Sequence, residues 1–348
     1  MKFYFCKMKR YFLLVVFSVS SYSIKSQVDS VKTFNVWGDI HFFSFYETLR
    51  NTKPYTGFGV SSGILGLRKT LSKGNWLVTG TIMYDVSKTT RLTYADTVEI
   101  LSYTEGSHYT AYLKMGEIKL APLNEQWHFS VGQLLSDQYL TLQDKAWGRR
   151  YLMTTMQEYY RLGVPADFGM RFGYFFHNKK WYGSISILNG DGAFRQQDTN
   201  STLFTSFMLS FQSQPIKKHR WIGKIYVDYQ PIPLANEQRM AANVFLQYEF
   251  ADYKFGADFA HIMQGKNFTA KPSAQLLSNY IMGKTFIPTV YFLLRNDLFI
   301  KYVGTKVETQ YMVGLEWKPL QAFVLSLSFR RNTLNNQSFI YLHAGFKF

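Results

Sequence analysis

Ser338-Phe-Ile-Tyr-Leu-His-Ala-Gly-Phe-Lys-Phe348 decides how the chain folds. Ile340, Leu342, Ala344, Phe346 and Phe348 fall on one side; Phe339, Tyr341, His343, Gly345 and Lys347 fall on the other. The two-residue period is that of a strand with one apolar face and one face carrying the polar groups. Its length suits a tilted strand crossing a bilayer, roughly 9–11 residues. The last strand of a soluble sandwich alternates in the same way, so the rest of the chain has to choose.

The mean hydropathy is −0.15, and no stretch of ~20 apolar residues offers a membrane helix. A barrel wall hides its apolar residues by alternation, so an average near zero is expected of it. The 25 Tyr and 31 Phe would furnish aromatic girdles at two membrane interfaces. A last strand ending in Phe, with apolar residues at alternate positions, resembles the C-terminal signal of bacterial outer-membrane β-barrels. That resemblance implies that Phe346 and Phe348 are an assembly signal read by the barrel-assembly machinery.

Residues 1–26 read as a signal peptide for export: Lys2, Lys7, Lys9 and Arg10 precede the apolar core Phe12–Val19. Cys6 lies in this leader, so a mature chain starting at Gln27 has no thiol for disulfides or catalysis. The leader holds five of the 39 Lys and Arg, leaving 34 against 23 Asp and Glu, a net +11. The basic residues are dispersed in an exported chain, which points away from nucleic acid and toward a lumen or rim that attracts anions.

Residues 27–348 read as sixteen strands of an all-β, antiparallel, up-and-down transmembrane barrel. Trp127–Leu135, Tyr160–Phe176 and Trp181–Leu188 are clear examples. Thr285–Leu294 and Leu298–Val303 count as the twelfth and thirteenth, separated by Arg295-Asn296-Asp297 as a turn. Lys88–Ser107 reads as a long polar connection. The short connections follow the even-numbered strands, so with both termini in the periplasm every short turn lies there. A soluble β-domain has no reason to sort its turns by length.

The polar face of each strand then lines the lumen, with bases such as Arg161, Arg171, Arg330 and Lys347 beside acids such as Asp167, Asp258 and Glu316. Most of these charges are expected to pair across strands, and Asp167, four residues from Arg171 on the same face of one strand, is a candidate partner for it. Residues 136–158 form the longest gap and carry Lys145, Arg149 and Arg150, with Trp147 and Tyr151 between acids. Folded inward, this candidate constriction loop would place guanidinium groups on the path of anions. Packed on the rim, it would be an extracellular loop.

Lys145-Ala-Trp-Gly-Arg-Arg-Tyr151, Gln157-Glu-Tyr-Tyr160, Gly163-Val-Pro-Ala-Asp-Phe-Gly169 and Ile187-Leu-Asn-Gly-Asp-Gly192 resemble the central segment of phosphate-selective porins O and P. The resemblance covers about 50 residues and implies a sixteen-stranded, usually trimeric channel with a constriction loop here. The selectivity residues expected from this reading are Lys145, Arg149, Arg150, Arg161, Asp167 and Arg171. Family members that select phosphate line the pore with dense basic ladders, whereas this inner face carries nearly as many acids. The expected function is therefore a water-filled, weakly anion-preferring channel in the outer membrane for small hydrophilic solutes, with no cofactor and no metal.

Two other classes remain open. Gly59-Val-Ser-Ser-Gly63 matches Gly-x-Ser-x-Gly, but a nucleophile elbow needs a helix after the turn and none is expected. His108, His177 and His261 could serve a barrel-rim lipase or protease, though none has an obvious partner and no metal spacing appears. A barrel acting only as an anchor or assembly partner is the third class.

Overall fold

The computed structural model describes residues 31–48, 55–93, 102–138, 142–159, 163, 165–176, 178–190, 192, 203–216, 218–232, 237–264, 273–301, 307–333 and 336–348. The proposed leader, Arg161 and His177 lie outside these residues. The strands are β1 Val31–Thr48, β2 Tyr55–Lys73, β3 Trp76–Thr93, β4 Ser102–Pro122, β5 Trp127–Leu135, β6 Ala166–Phe176, β7 Trp181–Leu188 and β8 Phe204–Gln212. They continue as β9 His219–Ile232, β10 Glu237–Phe250, β11 Tyr253–Gln264, β12 Ala274–Lys284, β13 Val290–Lys301, β14 Val307–Leu320, β15 Phe323–Asn332 and β16 Gln337–Lys347. Each strand pairs with its neighbours in sequence, and β1 pairs antiparallel with β16, so the sheet closes.

Alternation sets the two faces of the wall. In β16, Ile340, Leu342 and Phe346 point outward, about half exposed, while His343 between them is buried inside. In β6, Phe168, Met170 and Phe172 point outward and Asp167 and Arg171 inward. Trp76, Trp127, Trp181, Trp221 and Trp317 all sit at the short-turn end of their strands. Ring contacts such as Trp76–Trp127 at 5.5 Å and Trp181–Phe211 at 5.1 Å join them to outward neighbours. That belt is the interface girdle of a membrane-spanning wall.

The seam between β1 and β16 closes on a reciprocal pair: Gly38 N donates to Phe348 O and Phe348 N to Gly38 O, each at 3.0 Å. The Phe348 ring covers Gly38, where a Cβ would meet ring carbon Cζ at 2.5 Å and the Ile64 carbonyl oxygen at 2.7 Å. Phe346 pairs with Ile40 on one side and Phe323 on the other.

The strand count agrees with the sequence reading, but two of its members do not. Arg295-Asn296-Asp297 is not a turn; β13 runs straight through it, with Leu293, Arg295, Asp297 and Phe299 buried inside and Leu294 exposed outside. Arg295 and Asp297 share a face and form a two-pronged ion pair, Nε–Oδ1 2.9 Å and Nη2–Oδ2 2.8 Å. β12 escaped notice because Leu276 and Met282 point inward while Asn279 points outward, which blurs its alternation. Strand β6 starts at Ala166, not Tyr160, and β3 and β4 extend into the expected polar connection as far as Thr93 and from Ser102.

Gly38→Val is expected to force the seam apart, at a cost of about 1–3 kcal/mol for overpacking. Gly80→Val, where nothing lies within 4 Å of the new Cβ, is the control. Heat-dependent gel mobility of the folded barrel should show a lowered transition for the first variant and none for the second.

Candidate functional site

The described residues between β5 and β6, 136–138 and 142–159, leave the wall and lie inside the barrel, carrying helix α1 Leu142–Trp147 and the single turn α2 Met156–Tyr159. Gly132 begins the departure: its φ is +121°, and a Cβ there would meet the Gly116 carbonyl oxygen at 2.0 Å, so only glycine fits. Pairing of β4 with β5 ends one residue later, at Gly116 and Gln133.

The segment is bolted to the wall at several heights. Asp137 Oδ2 lies 3.0 Å from Arg171 Nε and accepts from Ser184 Oγ at 3.0 Å. Lys224 Nζ donates to the Asp137 carbonyl at 2.9 Å and also to that of Gln138. Gln143 in α1 and Gln157 in α2 both donate to Asp258 Oδ2 of β11, at 3.0 and 3.4 Å. Trp147, 2 % exposed, packs on Tyr280 at 5.0 Å, under the Arg295 guanidinium at 5.1 Å. Its Nε1 donates to the Met153 carbonyl at 2.8 Å, which closes the loop between the two helices. Ala146, Trp147, Tyr151, Leu152 and Met153 form one apolar cluster with Ile222, Phe245, Met282, Leu293 and Met312 of the wall.

The sequence placed Lys145, Arg149 and Arg150 together as pore cations, and the structure separates their roles. Arg149 Nη2 donates to Glu316 Oε1 at 2.9 Å. The same carboxylate, fully buried, takes Tyr151 OH and Lys318 Nζ, the latter at 2.8 Å. Arg150 grips Glu158 with two nitrogens and lies 3.6 Å from Asp144, so it ties α1 to α2. Lys145 is exposed and forms no ion pair among the described residues. Burial pushes the Asp144 carboxyl up while Arg150 pulls the other way; burial, then Glu316, pushes the Tyr151 phenol up.

Asp167 and Arg171 do not form the expected pair. Four strand residues span about 13 Å, beyond the reach of the two side chains. Arg171 is held by Asp137, Ser186 Oγ at 3.0 Å and the Leu135 carbonyl at 2.6 Å. Asp167 instead accepts from the Phe168 amide at 2.8 Å and the Gly190 amide at 2.5 Å. The sequence reading did not assign Gln143 or His41, whose ring stacks on Tyr151 at 4.1 Å, and it held Gln157 only as part of the family-like element Gln157–Tyr160; the contact of both glutamines with Asp258 has no local signal. Gly59–Gly63 lies wholly within β2, and among the described residues no group of three or more His, Cys, Asp or Glu could hold a metal.

No protein-family model and no curated protein matches the chain by sequence. Solved folds do match. An anion-selective porin from Comamonas acidovorans is 10 % identical with a TM-score of 0.62, over 91 % of this chain and 99 % of that one. The outer-membrane channel DcaP of Acinetobacter baumannii is 12 % identical with a TM-score of 0.60, over 90 % and 97 %. OmpF of Salmonella typhi, solved with daunomycin, is 8 % identical with a TM-score of 0.64, over 90 % and 97 %. At these identities the likeness is one of fold: the porin-type sixteen-stranded barrel. It does not single out the phosphate-selective porins.

Trp147→Ala removes the central anchor of the segment, and a buried Trp-to-Ala change costs about 3–5 kcal/mol. The folded variant should be cut by trypsin after Lys145, Arg149 or Arg150 at least about tenfold faster than the parent. Equal resistance would show that the segment is held without its apolar contacts.

Proposed function

We propose that the chain is an outer-membrane diffusion channel for small hydrophilic solutes with a weak preference for anions, phosphate among them. The observation that carries this reading is a closed wall, apolar outside and polar inside, with a segment docked on its inner face. A wall of this kind needs lipid around it, and the polar interior of a sixteen-stranded wall has its natural use in passing solutes. The reading includes export through the N-terminal leader, delivery to the barrel-assembly machinery through Phe346 and Phe348, and a homotrimer as the porin resemblance implies.

Weak selectivity follows from pairing. Among the described residues most inward guanidiniums are matched by a carboxylate within 4.0 Å: Arg149 by Glu316, Arg171 by Asp137, Arg239 by Asp228 and Arg295 by Asp297. Matched charges leave little net field beyond the roughly 8 Å screening length of physiological salt. The surplus positive charge of the chain, with Lys145 exposed on the segment, then tips the balance toward anions.

Planar-bilayer recordings in a salt gradient test this directly. The parent should conduct, with a reversal potential on the anion side. Lys145→Glu should move it toward cations by more than Lys347→Glu at the short-turn end. Glu316→Gln should move it toward anions, because Arg149 and Lys318 lose their shared carboxylate. Absence of current from correctly folded protein would overturn the channel and favour a barrel used as an anchor.

A further inference from the structure

The inner face of the β1–β16 seam carries aromatic rings where a wet wall calls for polar side chains. Phe43 and Phe45 of β1 and Phe339, Tyr341 and His343 of β16 share that face, all but His343 half-buried. The rings touch in series. Phe339 lies 5.7 Å from Tyr341, Tyr341 5.9 Å from Phe45 and 6.0 Å from Phe43, and Phe43 6.0 Å from His343. From Phe339 to His343 the ladder descends about 13 Å along the strand. It runs from the long-connection end toward Tyr151 of the inward segment, whose ring stands edge-on to His343 at 5.8 Å.

A cation stands beside this ladder without a counter-charge. Arg330 of β15 lies opposite Phe339, and its guanidinium carbon sits 4.1 Å from the centre of the Tyr341 ring. Its Nε and Nη2 are shielded from water and have no hydrogen-bond partner. Unlike Arg149, Arg171, Arg239 and Arg295, it forms no ion pair among the described residues. Glu47 flanks Phe339 from the other side, yet it does not pair with Arg330. Shielded, unpaired guanidinium N–H groups favour the arrival of an anionic acceptor. Partly exposed aromatic rings favour a flat apolar body.

We propose that Arg330 and the ladder of Phe339, Tyr341, Phe45 and Phe43 form a binding track for aromatic carboxylates. The carboxylate meets Arg330 and the ring slides along the aromatic faces toward the segment. The inference rests on the channel reading and names its preferred solute class. A neutral sugar would use the ring faces but leave Arg330 without an acceptor; a small aliphatic acid would use Arg330 but leave the rings idle.

Calorimetric titration of the purified, folded protein in detergent tests the track independently of conduction. Benzoate should bind at least about tenfold more tightly than acetate, benzyl alcohol or glucose. Arg330→Gln should weaken benzoate about tenfold, and Tyr341→Leu about threefold. Should Arg330→Gln fail to give the folded, heat-shifted gel band, Tyr341→Leu and Arg330→Lys decide in its place, both with weakened benzoate binding. Benzoate no tighter than acetate, glucose tighter than benzoate, or folded variants that bind benzoate unchanged would each overturn the proposal. Benzoate bound by a barrel that carries no current would overturn the channel and leave the track standing. Current without benzoate binding would do the reverse.

Discussion

Hydrocarbon offers no hydrogen-bond partner, so every peptide group of a membrane wall must find one within the wall, at several kcal/mol for each failure. In this chain that requirement falls on the seam between its first and last strands, closed in register from Asp39–Lys347 to Thr48–Ser338 and finished by Gly38 and Phe348. Once the ring of strands is closed, alternation assigns each residue to one face: the outer face is apolar toward lipid, and the charged residues of strands such as β6 and β13 turn to the lumen. The outward tryptophans at the short-turn end and the inward Asp–Arg pairs are two consequences of one constraint.

A lumen so formed is a demanding place for charge, because it is only partly wet. The chain answers by matching. Glu316 gathers Arg149, Tyr151 and Lys318, and Asp258 gathers both glutamines of the inward segment. These contacts orient the segment, while the apolar cluster around Trp147 supplies the burial that holds it there. The arginines nearest the segment thus act as structural ties. This suits a channel whose preference among ions is slight, and it sets Arg330, over the Tyr341 ring with no carboxylate partner among the described residues, apart from those ties.

The last strand was legible because its two faces differ over eleven residues, and the end of the barrel that holds the short turns because length alone sorts them. Beyond that, legibility failed where both faces carry apolar residues, as in β12, or where an inward ion pair imitates a turn, as in Arg295 and Asp297. The two errors cancelled in the strand count. The residues of the inward segment were recognisable from its length and its mixture of aromatic and basic side chains. Their partners were not: Gln143 meets Asp258 across 115 positions, and Arg149 meets Glu316 across 167. No local period encodes contacts of that range; they follow only when barrel closure brings the strands around.

The central claim is that the segment following β5 is docked inside the lumen, and native-state hydrogen exchange in detergent tests it most directly. The amides of Gly148, Leu152, Met153 and Tyr159 are each hydrogen-bonded within the segment. If the segment is docked as described, these amides exchange at least about a hundredfold more slowly than in an unstructured chain. Exchange at the unstructured rate, in a barrel whose strands remain protected, would contradict it.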